Sequence, residues 1–273
     1  MSAGPPAEQA ALFATTAAAP LAGTLSLRIL TVNTHKGFAA LNRRFVLPEL
    51  RDAVRQVNAD VVFLQEVQGT HNGHSTRVLD WPPAPHYEFL ADEIWPQFAY
   101  GRNAVYPSGH HGNAVLSKYP IVEHHNHDVS VGGDRQEARG LLHCQLQVPG
   151  HPVQLHAICA HLGLGESQRS KQLELLCNIV KTQVPADAPL LVAGDFNDWR
   201  DRAHSVLDRG AGLQEVFVRT EGRAARTFPA RFPFLRLDRI YVRSVSAYRP
   251  FALPRDPWSR LSDHAPLAAE INL

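Results

Sequence analysis

Strand-length apolar runs in this chain repeatedly stop on side chains that can hold a cation or move a proton. That ending limits the fold more than any other feature. "LLVAGDFNDWR" shows it best. Leu190 to Ala193 read as a short buried strand closed by Gly194, because a continuous apolar run ahead of a glycine is a core-strand signal. Asp195, Asn197 and Asp198 follow at once. Asp195 and Asn197 share one side if the segment stays extended. An Asx-turn capping a following helix is the plainer reading of the same residues. The ending recurs. Asn33 closes "LSLRILTVN", Glu66 closes "DVVFLQE", His161 closes "AICAH", Asp238 opens "DRIYV", and Asp263 and His264 precede "APLAAEINL". In layered α/β proteins, strand ends that meet at one edge build active sites.

The rest of the pattern is strand-rich. "VLPELRDAVRQVNA" carries Leu47, Leu50, Val54 and Val57 at helical spacing, so the opening is strand–helix–strand and its two strands are expected to be parallel. "YEFLA", "FAYGRNAVY", "GNAVLSKYPI", "ARGLLHCQLQV" and "VQLHAICAHL" read as strands, and "LDRIYV" and "DHAPLAAEINL" as the last two. "GESQRSKQLELLCNIVKTQV" is the clearest helix, with Leu173, Leu176, Cys177, Val180 and Val184 as its buried stripe. The 273 residues suit one large or two small domains, and the 44% hydrophobic and 19% charged content is an ordinary globular balance. No repeat or polar linker divides the chain, so residues 26–273 are expected to form one domain behind a loosely packed tail over 1–25. That tail has no Lys or Arg, which argues against a secretory signal, and no run approaches transmembrane length. Cys144, Cys159 and Cys177 are scattered, so neither a disulfide framework nor a structural zinc knuckle is expected. The reading is a cytoplasmic protein, with the oligomeric state open and a monomer favoured.

The side chains at the strand ends define a chemistry. Glu66, Asp195, Asp263, Asn33 and Asn197 offer hard oxygen ligands that suit Mg²⁺ or Mn²⁺ rather than zinc, since no thiolate accompanies them. His161 and His264 offer proton transfer near neutral pH. Together they suit attack of water on phosphorus. Net charge is only +1, yet Arg219 to Arg243 holds seven arginines against Glu221 and Asp238, so that segment carries +5 and the remainder −4. A local arginine cluster points to one or two phosphates near the site; a solvated loop is the alternative. A long duplex is not favoured, because duplex affinity needs a broad basic surface. The histidines at 110, 111, 124, 125 and 127 lack acidic or thiol partners in sequence, so a second metal site there is not expected; His110 and His111 remain candidates for the substrate's surroundings.

"TVNTH", "LQEV", "GNAVLSKYPI", "AHLGLG", "GDFND", "LDRIY" and "SDHAPL" follow one another over Leu27 to Leu273. In that order they resemble the endonuclease/exonuclease/phosphatase superfamily, the DNase I-like proteins, and most closely its bacterial YbhP-like branch. The resemblance implies a four-layer αββα sandwich of two mixed β-sheets with the site at one edge. It implies Asn33, Glu66 and Asp263 on the metal side, Glu66 being the principal ligand. Asp195 and Asn197 would orient the attacking water and contact phosphate, His161 would face the phosphate, and Asp238 would hold the final His264. Arg139 and Asn113 correspond, less securely, to substrate contacts. The expected activity is Mg²⁺-dependent phosphoester hydrolysis, chiefly of diesters, on a phospholipid headgroup or small phosphoester, with peripheral lipid contact open. The rivals are a DNase I-like or apurinic-type nuclease and a non-catalytic binding module of the same fold.

Overall fold

A computed structural model describes residues 25–42, 44–74, 76–132 and 137–273. The tail expected over 1–25 lies, apart from Leu25, outside the described residues. Two six-stranded sheets form the centre. In chain order the strands are β1 (Ser26–Asn33), β2 (Val61–His71), β3 (Gln97–Tyr106), β4 (Gly109–Ser117), β5 (Ile121–Asp128), β6 (Gly140–Leu146), β7 (Leu155–His161), β8 (Leu190–Asp195), β9 (Gln214–Glu215), β10 (Asp238–Arg243), β11 (Ala247–Phe251) and β12 (Leu267–Asn272). The first sheet runs β11-β12-β1-β2-β4-β3 and the second β5-β6-β7-β8-β10-β9. Each is mixed: β1 is parallel to β2 and antiparallel to β12, and β7 is parallel to β8 and antiparallel to β6.

Three apolar clusters make this a four-layer αββα sandwich. Leu27, Ile29, Val61 and Phe63 from the first sheet meet Cys144, Ala157, Leu191 and Ile240 from the second. Leu30, Val32, Val62 and Leu64 face outward onto α1 (Leu47–Val57) and α2 (His86–Ala91). Ile158, Leu190 and Val192 face outward onto α3 (Glu166–Gln183) and α4 (Ala203–Ala211). Successive residues of one strand thus serve different layers, as the two-residue period of a pleated strand requires. All three cysteines are buried and free. Among the described residues no helix is long and apolar enough to cross a membrane.

Local readings failed in three places. "YEFLA" is part of α2, where His86 and Leu90 are buried one turn apart; its aromatic residues have strand propensity, but helical spacing decides. "GNAVLSKYPI" is not one strand. It ends β4 in the first sheet, breaks at Lys118–Pro120 and begins β5 in the second, so this segment carries the chain across the core. The two strands expected last, β10 and β12, are separated along the chain by a further edge strand, β11, and two short helices, α4 and α5 (Val216–Glu221), precede β10. The arginine cluster is also dispersed by the fold. Arg239 is fully buried on the outer face, 2.9 Å from Asp201; Arg236 donates to the Ala224 carbonyl and Arg243 to Pro185. Strand alternation and internal partners divide what the sequence places side by side, so no continuous anion cradle results.

His86 packs 4.5 Å from Trp81 and 5.9 Å from Phe45, ring centre to ring centre, with no hydrogen-bond partner for either ring nitrogen among the described residues. Burial pushes its pKa down to about 3, helped by His74 and His71. The folded chain keeps this imidazole neutral, while the unfolded chain protonates it near about 6.5. Its contribution to stability is therefore complete above pH ~6.5 and is lost as pH falls towards 3. We expect His86→Phe to flatten the fall in urea midpoint between pH 7 and 4. An acid slope equal to the wild type would refute this origin.

Candidate active site

Inner-face alternation alone carries four polar side chains to the place where the sheets part. Asn33 continues the Leu27–Ile29 face of β1, His161 the Ala157–Cys159 face of β7, Asp195 the Leu191–Ala193 face of β8, and Asp238 the Ile240–Val242 face of β10. Register then sets them side by side, with His161 and Asp238 both opposite Asp195. Glu66 needs a device, because simple alternation would send it outward with Val62 and Leu64. The β2–β4 pairing shifts register between Leu64 and Val67, and Glu66 takes a left-handed φ of 52°. A bulge of this kind re-aims one side chain.

Asn33 joins the two sheets here. Its Nδ2 donates to Asp195 Oδ2 at 3.1 Å and to Glu66 Oε1 at 3.3 Å, while its Oδ1 accepts from the His35 N–H. Asp238 Oδ2 accepts from His264 Nδ1 at 2.9 Å, and His264 Nε2 lies 3.8 Å from Asp195 Oδ2. His161 Nε2 is 3.7 Å from the same oxygen. The loop holding Asp263 and His264 is tied down by the Ser262 hydroxyl, which donates to the Asn33 carbonyl at 2.7 Å, and by the Ala230 N–H, which donates to Asp263 O.

The quoted β8 end resolves into both of its readings. Gly194 stays within the strand, and the chain turns at Asn197, φ 50°. The Asn197 N–H donates to Asp195 Oδ1 at 2.9 Å, a true Asx-turn, while Asp198 caps α4 through Arg202 and Ala203. Asn197 Nδ2 holds the Leu162 carbonyl at 2.9 Å, which ties the ends of β7 and β8 together. Phe196 turns into the outer core. Gly194 is required for close approach: its φ is 147°, and a Cβ would stand 1.9 Å from the Ala160 carbonyl oxygen.

The electrostatics separate the groups. Burial, joined by Asp238 and Glu66, pushes Asp195 well above the ordinary carboxylate range, against the pull of His264. Burial alone would lower His264, but Asp238 and Asp195 outweigh it and hold the imidazolium up to about 10. Burial drives His161 well below its ordinary value, and the Arg139, His264, His111 and Lys36 cations push the same way. At neutral pH the site therefore holds a charged His264 and a neutral His161. Burial would raise Glu66, yet Lys36, His35 and the Asn33 hydrogen bond bring it below the usual range.

A hard cation fits these donors. Glu66 and Asp263 supply carboxylate oxygens, and the cysteine nearest the site, Cys159, bonds Gln65 and the Leu64 carbonyl, its thiol pushed up to about 12 by burial. No thiolate is on offer, which disfavours a soft-ligand site. Asp195, Asp238 and His264 also place three possible ligand atoms within 4.8 Å of one another. There His264 is held in its charged form, with no ring lone pair to offer, so this trio suits a proton better than a cation.

Arg139 is buried beside the site, 2.9 Å from Glu137, and opens on a hollow of about 300 Å³ lined with Leu164, Gly165 and Gln168. Asn113 is deeper: its Nδ2 holds the Gly140 and Cys159 carbonyls, and its Oδ1 has no partner among the described residues. Three neighbours escaped the sequence reading or stayed at its margin. Lys36 Nζ is 3.5 Å from Glu66, His35 Nε2 is 3.8 Å from Asp263, and His111 Nε2 is 2.6 Å from Glu137. The signal for the first two was their place directly after Asn33 in "TVNTHKGF". His110, by contrast, bonds Tyr100 and sits farther along β4.

The profile of the endonuclease/exonuclease/phosphatase family matches residues 30–264, which takes in every residue of this site. The chain belongs to that family. It is 58% identical to the YbhP protein of Escherichia coli K12 over 248 residues, covering 91% of this chain and 97% of that one. Among solved structures it resembles an endonuclease/exonuclease/phosphatase protein from Beutenbergia cavernae, with a TM-score of 0.72 and 20% identity over 91% of this chain and 72% of that one. A mannosyl-6-phosphatase from Bacteroides thetaiotaomicron matches with a TM-score of 0.64 and 18% identity, over 90% of this chain and 99% of that one. These last two likenesses are likenesses of fold.

Two outcomes follow from the geometry. Gly194→Ala should destabilise the chain by roughly 3 kcal/mol or more, since it combines a strained φ with a backbone clash; an unchanged denaturant midpoint would contradict the close approach. Asp238→Asn removes the anion that most raises His264, so the imidazole pKa, followed by NMR, should fall from about 10 by at least one unit. An unmoved resonance would break the assigned pair.

Proposed function

We propose that this chain is a Mg²⁺- or Mn²⁺-dependent phosphoester hydrolase, acting on diesters ahead of monoesters. The observation that carries the reading is the buried Asp238–His264–Asp195 series, joined by Asn33 to a separate carboxylate, Glu66. Glu66 and Asp263 would hold the ion, with Lys36 and His35 beside them. A hard dication bound there supplies polarisation of a phosphoryl oxygen and offsets developing negative charge. Asp195, with its raised affinity for protons, would orient water and accept its proton near neutral pH. His264 is charged at that pH, so it serves as a donor and as a stabiliser of the crowded, negatively charged phosphorus rather than as the base. Neutral His161 and the Asn197 turn would contact the remaining phosphoryl oxygens, and Arg139 the substrate anion from the flank.

Such a division gives the pH dependence its sign. The active form has Asp195 ionised and His264 protonated. Turnover should fall as pH drops through the raised Asp195 pKa, well above the ~3.9 of an ordinary aspartate, and fall again as pH rises towards 10.

A compact phosphoester fits better than a long duplex, because the segment from Arg219 to Arg243 offers no continuous basic face. The test is a panel of nucleic acids, phospholipids and sugar phosphates assayed with Mg²⁺ and with chelator. Glu66→Gln should lower turnover more than ~100-fold and abolish the response to Mg²⁺, with the fold intact. Wild-type turnover in this variant would refute the assigned metal side, and rapid plasmid nicking with no turnover of any lipid or small phosphoester would move the protein to the nuclease class.

A further inference from the structure

Ten large apolar side chains are exposed among the described residues, and their placement is uneven. Leu41, Leu79, Leu164, Trp199, Phe232 and Phe234, from 50% exposed at Trp199 to 85% at Leu79, lie on five separate connections: β1 to α1, β2 to α2, β7 to α3, β8 to α4, and α5 to β10. Four of these connections leave or enter strands at Asn33, His161, Asp195 or Asp238, and the fifth leaves β2 in the same direction, five residues beyond Glu66. The other four lie on strands or on α3. Single exposed leucines are ordinary, but six large apolar side chains on the connections at one end of the sheets are not.

Arginines stand among these residues. The Arg200 guanidinium lies 4.5 Å from the centre of the Trp199 ring, and that of Arg255 lies 5.4 Å from the centre of the Phe232 ring. Arg226 and Arg231, exposed on the Phe232 loop, have no ion-pair partner among the described residues. Glu49 and Glu166, acidic groups at the same end, pair with Arg44 and with Arg169 and Arg202. The free charge near Phe232 is therefore positive.

We infer that this end of the molecule docks on an anionic phospholipid bilayer. A bilayer accepts aliphatic and aromatic side chains alike in its apolar boundary, and its phosphates take the arginines at the same depth. Nucleic acid bases would use Trp199 and the phenylalanines, but the three leucines offer no π face for stacking. A protein partner covering all six residues would also cover the catalytic groups. A lipid surface instead brings phosphoesters to that end. Next to His264, a hollow of about 560 Å³ lined by Phe232, Leu253, Trp258 and Pro266 can take an apolar stretch of lipid drawn up from the surface. Docking stands apart from turnover; only the identification of the lipid phosphoester as substrate rests on the hydrolase reading above.

The test uses the full chain with chelator present, sedimented with vesicles of phosphatidylcholine alone or of phosphatidylcholine with phosphatidylglycerol. Binding is expected on the phosphatidylglycerol vesicles, with a blue shift of tryptophan emission. Phe232→Ser with Phe234→Ser should weaken it about 10-fold or more, and Arg226→Gln with Arg231→Gln should remove much of its salt dependence. Circular dichroism and melting temperature check each fold, and Leu164→Ser gives an independent variant on another connection. Absence of vesicle binding, equal binding by the phenylalanine variant, or submicromolar single-stranded DNA affinity without vesicle binding would overturn the proposal. Vesicle binding with no Mg²⁺-dependent turnover of any phosphoester would leave docking standing and refute the hydrolase reading. Turnover of soluble phosphoesters without vesicle binding would do the reverse.

Discussion

One amide holds the two halves of this site in register. Asn33 Nδ2 donates to Glu66, carried by the first sheet, and to Asp195, carried by the second. The sheets otherwise meet through apolar inner faces, which set their separation without directional preference. Where those faces end, the next inner position on each strand is polar. Two carboxylates brought so close, Asp195 buried and Glu66 partly exposed, need a donor between them, and Asn33 is fixed to supply one because its Oδ1 takes the His35 N–H and its own carbonyl takes the Ser262 hydroxyl.

The charges around it are arranged in opposition. On the inner face His264 lies between Asp238 and Asp195; both carboxyl groups favour its charged form, while burial and the nearby Asp238 make Asp195 hold its proton more tightly. On the outer face of the same strand, Arg239 is buried among Asp198, Asp201 and backbone carbonyls. β10 thus carries a catalytic-type carboxylate and a structural arginine at consecutive positions, and the two belong to different layers. Mutation of either would disturb the strand, but only Asp238 touches His264.

Among the described residues ten that are not glycine have positive φ; four stand at the site, and others, such as Asn58 after α1 and Ser244 after β10, lie elsewhere. His35, Lys36, Glu66 and Asn197 all have positive φ, and each lies in the site or beside it. None is a glycine, so each backbone is held there by the surrounding hydrogen bonds, including those of Asn33 and Asp195. The connections at the site's end of the sheets also bear most of the exposed large apolar side chains, while the opposite ends of the strands carry short turns and ion pairs such as Lys118–Asp60.

Much of this was legible in the residues. Apolar runs that stop on Asn33, Glu66, His161, Asp195 and Asp238 state both that strands exist and which side chains close them, because the two-residue period ties inner-face membership to position. The parallel pair of β1 and β2 and the stripe of α3 followed from local spacing. Other features depend on partners far away in sequence. The passage from β4 to β5 between sheets is invisible in "GNAVLSKYPI", since either strand alone looks the same whichever sheet it joins. The bulge at Glu66 exists only in relation to β4, and without it the key carboxylate would face α1's layer. Seven arginines between Arg219 and Arg243 look like one basic patch until packing buries Arg239 and engages Arg236 and Arg243 with backbone carbonyls. "YEFLA" has strand propensity, yet docking of His86 and Leu90 under the first sheet makes it helical. Sequence by itself determined which side chains stand at the strand ends, because alternation is a local property. Tertiary structure decided which of them meet, because register, bulges and the burial of charge are set by the neighbouring strand.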